Sequence, residues 1–161
     1  MDKLQYEKLG APFQEEKKQK ALLLINKCLT ALGYISYPLL LIYTFLYKKE
    51  MCIPCILIPA SGFVLLTFIR KKINKKRPYE ALDITPLIKK DTKGNSMPSR
   101  HVFSLSMIAV SYFVVSPLLG SILLLCSFAI ACIRVIGGVH YPSDVLVGML
   151  CALIWGLLYL L

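Results

Sequence analysis

At 161 residues the chain has room for one domain, and a hydrophobic fraction of 57% with a mean hydropathy of +0.63 excludes an ordinary soluble one. The formal charge of +10 is gathered rather than spread: residues 70–100 hold ten Lys and Arg against three acids (Glu80, Asp83, Asp91), while residues 1–20 hold five lysines against four acids. No recognition-helix pattern accompanies the basic stretch, and it is tethered between apolar runs, which excludes a nucleic-acid partner. Anionic head groups or a phosphorylated substrate suit it better.

In chain order, residues 1–20 are polar, and Gly10 and Pro12 break any long helix there. Residues 13–27 read as a short interfacial helix leading into a membrane. About 20 apolar residues span a bilayer as a helix, and the pattern predicts five spans, at roughly 28–47, 52–69, 102–117, 118–136 and 143–161. The first is too long, and too far from the terminus, to read as a cleaved signal peptide. Lys48 to Met51 is a short connection, so spans one and two form a hairpin. Cys52 and Cys55 make a CxxC in that turn, a pattern open to a redox pair or half a metal site, but no second CxxC or nearby His completes it. Cys28, Cys126, Cys132 and Cys151 lie in apolar runs, as small hydrophobes do. The connection over 70–99 is long for so small a bundle, and such loops tend to carry function. Residues 137–142 separate spans four and five, with Pro142 suited to the first turn of a new helix. The expected fold is all-α: a polytopic transmembrane bundle of about five spans plus a short N-terminal interfacial helix. Residues 1–27 form the tail and that helix, and 28–161 the membrane domain.

Two crossings separate the 70–100 loop from the break at 137–142, so both lie on one membrane face, with the N-terminal tail. Three segments therefore meet: Arg70–Pro78 (RKKINKKRP), Pro98–His101 (PSRH) and Arg134–Asp144 (RVIGGVHYPSD). They hold both histidines of the chain. His140 and Asp144 are four apart, on one helical face; an Asp that holds one imidazole nitrogen leaves the other free to attack. The same pair also fits a capping Asp beside a structural His. His101 follows Ser99 and Arg100 at a helix start, where a hydroxyl and backbone N–H groups can receive a phosphate and an imidazole can act as general acid; a Ser cap and an interfacial His would look alike. Arg77 and Arg134 offer permanently charged forks suited to phosphate, although Arg134 also fits a snorkelling cation. Arg134 and Asp144 stand at the edges of apolar runs, where ionisable groups face a protein interior or a wet cavity.

In order and spacing these motifs resemble the type 2 phosphatidic acid phosphatase superfamily, which shares its site with vanadium-dependent haloperoxidases. Arg77-Pro78, Pro98-Ser99-x-His101, and Arg134 with His140 and Asp144 match the family pattern, and the resemblance covers about residues 52–161. It implies that His140 attacks phosphorus and forms a phosphohistidine, that Asp144 orients it, and that His101 protonates the leaving group and then activates water. It implies phosphate contacts from Arg77, Ser99 and Arg134, with no metal and no cofactor. Three positions depart from the pattern. Arg70, with Lys71 beside it, stands where the family has Lys, keeping charge for the phosphate site. Arg100 replaces a Gly and adds a cation, and Ile133 replaces a Ser.

A site at the membrane face suits a lipid phosphate monoester or diphosphate, such as phosphatidic acid, phosphatidylglycerol phosphate or a polyprenyl diphosphate, so the expected partners are that substrate and membrane lipids. The competing reading is a non-catalytic protein that binds anionic lipid through the same basic face. A haloperoxidase fits less well, because this chain has little outside its spans. Positive-inside reasoning puts the basic face in the cytoplasm, and small size with the resemblance points to a bacterial plasma membrane.

Overall fold

The computed structural model describes residues 1–90 and 92–161; Asp91, one of the acids of the basic loop, lies outside them. Seven α-helices follow one another: α1 (Lys3–Gly10), α2 (Glu16–Tyr47), α3 (Lys49–Ile73), the single turn α4 (Pro78–Ala81), α5 (Arg100–Phe113), α6 (Pro117–Ile136) and α7 (Pro142–Gly156). Short 3-10 turns cover Ala11–Phe13 and Leu157–Leu160.

Four segments are long and apolar enough to cross a membrane: Glu16–Tyr47, Lys49–Ala81, Pro117–Ile136 and Pro142–Leu160. The third expected span, α5, has 14 residues, or about 21 Å at 1.5 Å per residue, short of the ~30 Å hydrocarbon layer. It still runs from the site end to the opposite end, where Lys48 Nζ donates to the Val114 carbonyl at 3.4 Å, and it is the axis of the bundle. Val102, Phe103, Leu105, Met107 and Ala109 are all buried along it, packed against Leu123, Ile130 and Ala131 of α6 and against Val145 and Ala152 of α7. Ser106 and Ser127 hydrogen-bond at 2.6 Å between α5 and α6, so the polar groups of this core satisfy each other. The outward faces of α2 and α3 carry Leu39, Ile42, Phe45, Leu57 and Phe68 exposed, as lipid-facing helices require.

The interfacial helix expected at 13–27 is not separate. α2 runs unbroken from Glu16, so the division at residue 27 falls inside it. No proline or glycine interrupts residues 16–32, and at 32 residues (about 48 Å) the helix outruns the bilayer and carries its polar first turns beyond it. The short terminal helix is α1. It is started by a capping box in which Asp2 accepts from the Gln5 amide at 2.8 Å and Gln5 accepts from the Asp2 amide at 3.0 Å.

The ends of α3 and α6, the starts of α2, α5 and α7, and all of α1 lie at one end of the bundle. Every motif of interest is there.

Candidate active site

The basic loop is folded by its own polar groups. α3 ends at Asn74 in the left-handed region (φ 42°), and its Oδ1 accepts the Asn95 amide at 3.3 Å. Gly94 has a φ of +63°, and a Cβ there would lie 2.4 Å from Asn74 Oδ1, so only glycine fits. The Glu80 carboxylate accepts the amides of Arg77 (2.8 Å) and Gly94 (2.8 Å), closing the strap around α4. Arg70 donates to the carbonyls of Pro98 and Asn95. The Ser96 amide reaches the Lys75 carbonyl at 2.8 Å, and the Ser99 amide reaches the Asp144 carbonyl at 2.9 Å. The PSRH segment is thereby stitched to the start of α7.

The segment after α6 turns at Gly138 (φ +72°), and the amides of Val139 and His140 both point back to the Arg134 carbonyl, at 3.2 and 3.3 Å. His140 is 1% exposed. Its Nδ1 lies 3.7 Å from Asp144 Oδ2, and the Ser96 hydroxyl stands between them, donating to Oδ2 at 2.5 Å and 3.4 Å from Nδ1. Asp144 is fully buried and accepts also from Lys75 Nζ at 2.7 Å and the Tyr141 amide at 3.0 Å. On the other edge of the ring, Nε2 is 3.5 Å from Nη1 of Arg77. Arg77 is itself fixed by the carbonyls of Val139 (3.0 Å) and Gly94 (3.1 Å). Burial pushes the His140 imidazole down to about 4, and the Arg77 charge adds to this against the opposing pull of Asp144. The ring is therefore neutral near pH 7.

Among the described residues, two buried donors here have no partner: the Ser99 hydroxyl and Nε of Arg134. Buried donors are normally satisfied, and an unsatisfied pair inside a cation cluster is matched chemically to an anion. Lys90 joins the cluster from the loop. Its ammonium is pushed down to about 7, first by burial and then by Arg77, Arg134, Arg70 and Arg100. His101 is half-buried on the first turn of α5, within the field of Arg134, Lys90, His140 and Arg100.

From His101 a cavity of about 690 Å³ runs between α2, α3 and α5 towards mid-membrane, lined by Tyr34, Tyr37, Phe63, Leu105 and Met107. Its size is that of a small-ligand site. Arg100 is exposed at its mouth, its guanidinium 5.9 Å from the Phe63 ring.

The structure thus brings together His101, His140, Asp144, Arg77, Ser99 and Arg134. Three expected phosphate contacts are placed otherwise. The Arg70 guanidinium is committed to loop carbonyls, and Lys71, about 100° further round α3, is exposed. Arg100 belongs to the mouth of the apolar cleft. Sequence reasoning missed Ser96, Lys75, Glu80 and Lys90, and the CxxC stays a pair of free thiols, Cys55 buried and Cys52 half-buried in α3.

Comparison with known proteins meets this geometry. The family model "PAP2 superfamily" matches residues 50–161. The crystal structure of Aquifex aeolicus LpxE is similar over 99% of this chain and 94% of its own, with a TM-score of 0.75 and 27% identity. The first transmembrane PAP2 type phosphatidylglycerolphosphate phosphatase from Bacillus subtilis shares the fold over 96% of this chain and 90% of its own, with a TM-score of 0.59 and 22% identity. No curated protein matches the sequence. With the family model covering more than two thirds of a membrane-spanning bundle, the chain belongs to the PAP2 superfamily and is an integral-membrane phosphoric ester hydrolase.

Proposed function

We propose that the protein hydrolyses a lipid phosphate monoester or diphosphate through a phosphohistidine at His140. The observation that carries this is the pair of unpartnered buried groups, Ser99 Oγ and Arg134 Nε, in one cluster with a neutral His140 whose Nε2 faces Arg77. Nε2 attacks phosphorus while the bond to the leaving oxygen breaks, and His101 gives that oxygen its proton. Asp144, with Ser96, holds Nδ1 and offsets the charge the ring acquires. His101, now unprotonated, takes a proton from water as the water attacks phosphorus. The P–N bond breaks, and phosphate leaves. Arg77, Arg134, Ser99 and Lys90 hold the phosphoryl oxygens throughout, more strongly as charge develops.

The apolar cleft beside His101 supports an amphiphile, with its phosphate among the cations and its tail between α2, α3 and α5. Phosphatidic acid, phosphatidylglycerol phosphate and polyprenyl diphosphates all fit that description. The excess of basic residues at the site end supports a cytoplasmic face for it, in a bacterial plasma membrane.

The test is phosphate release by the purified protein in detergent, with chelator, against a panel of those lipids. Release is expected from at least one, and His140→Ala is expected to lower it about 10³-fold or more. Folded protein that binds the lipids but frees no phosphate from any of them overturns the proposal in favour of a non-catalytic lipid-binding role.

A further inference from the structure

His140 is held from more sides than its ring. The ring is steadied by Ser96 and Asp144, and the backbone amide by the Arg134 carbonyl. The remaining handle is the His140 carbonyl, and it accepts a hydrogen bond from Tyr6, whose Oη lies 3.0 Å away in a buried contact. Tyr6 belongs to α1, 134 residues away in sequence and outside the region matched to the family, residues 50–161.

We infer that Tyr6 is a positioning residue for the reaction, fixing the backbone of the nucleophile so that Nε2 meets the phosphorus in line. The inference rests on the reading of His140 as nucleophile.

Three further observations support it. Tyr6 is 4% exposed, and its ring packs edge-on to Tyr141 at 6.1 Å and 74°. Tyr141 carries the Lys75 ammonium 4.4 Å over its own ring, and the same ammonium pairs with Asp144 at 2.7 Å. A closed circuit of contacts therefore runs from the carbonyl of His140 through Tyr6, Tyr141, Lys75 and Asp144 to the Nδ1 edge of its ring. The arm that follows α1 is also seated beside the loop: Phe13 packs with Ile88, Ile133 and Val139, and Gly10 approaches Leu87. Burial raises the Tyr6 phenol well above its ordinary range, so it stays a donor at every working pH. The loop needs such a hold, because the turn before His140 is made by two glycines in succession, Gly137 and Gly138. A small displacement of an attacking atom is enough to cost orders of magnitude in rate.

The test uses the full chain with Tyr6→Phe, which keeps the ring and removes one hydroxyl. With the best lipid of the panel, kcat is expected to fall about tenfold with KM within about twofold, since substrate contacts are untouched. Inhibition by vanadate, which mimics the trigonal transition state at phosphorus, is expected to weaken by a similar factor, while inhibition by inorganic phosphate changes little. A kcat within twofold of wild type, with only the thermal midpoint lowered, overturns the inference and leaves Tyr6 a tether for the N-terminal arm. His140→Ala runs beside it. If that control keeps wild-type activity, the nucleophile reading fails and takes the role of Tyr6 with it, whereas an inactive control with an unaffected Tyr6→Phe removes Tyr6 alone.

Discussion

A neutral imidazole beside a guanidinium has a definite titration. Burial disfavours the charged ring of His140, and protonation would also place a second cation 3.5 Å from Arg77 Nη1, so its pKa drops to about 4 from the usual 6.5. Between those two values the unfolded chain takes up a proton that the native ring refuses. This group's share of stability is therefore fully present above about pH 6.5 and is lost as pH falls towards 4. Histidine NMR in detergent, with His101 assigned by substitution, is expected to show His140 neutral from pH 7 down to near 4. Adding phosphate should raise the midpoint, because a bound anion offsets Arg77. A midpoint at 6.5 in the free protein would contradict the buried geometry. Among the expected residues that lie together, Ser99 with His101 and His140 with Asp144 are pairs whose chemistry and spacing are local. Those missed act across the fold. Ser96 reaches Asp144 from 48 residues away and Lys75 from 69. Nothing in the sequence around either marks the contact, because the loop's own hydrogen bonds create it. The placement of Arg70 has the same origin: the carbonyls of Asn95 and Pro98 that hold it exist as partners only once the loop is closed.

Among the elements, a junction with backbone on both sides is where α7 meets the PSRH segment. A Cβ on Gly148 would lie 2.7 Å from the Ser99 carbonyl oxygen and 3.3 Å from its nitrogen, both backbone atoms that cannot swing aside. Gly148→Ala is expected to push Ser99 off its bond to the Asp144 carbonyl, costing on the order of 1–3 kcal/mol of stability and lowering kcat in proportion to the lost alignment of Ser99 and His101. Thermal unfolding and steady-state kinetics on the same preparation check both, and a variant with wild-type values in each refutes the tight junction. Helix existence was legible from apolar runs, and sidedness followed from counting crossings. Helix extent was less so. The start of α2 is polar, so composition alone separated it from the span it continues, whereas the absence of a proline or glycine between Glu16 and Leu32 decided the matter. α5 is the short crossing on which that count depends, and its apolar run reflects burial in protein, among α6 and α7.

At the working end of the molecule the cations Lys75, Arg77 and Lys90 of the loop meet an apolar cleft between α2, α3 and α5. Gly33 lines the apolar cleft, and a Cβ there meets Leu105 at 3.4 Å, so alanine fits while a longer side chain must occupy the cleft. Gly33→Leu is expected to lower the ratio of kcat/KM for a long-chain lipid phosphate over a short-chain one by about tenfold, the order expected for a few methylenes lost from an apolar pocket. An unchanged ratio would mean that the tail lies elsewhere.

That cleft lies between the apolar helices α2, α3 and α5, while the buried cations Arg77 and Arg134 sit at the end of the bundle that carries the polar loop. On the proposed reading a substrate reaches His140 by drifting in the plane of the bilayer, and its dephosphorylated product returns the same way as phosphate departs to solution. The quantity that governs turnover is then a surface density. Diluting the lipid with inert detergent at constant bulk concentration would slow the enzyme, and enlarging the aqueous volume around the same vesicles would not.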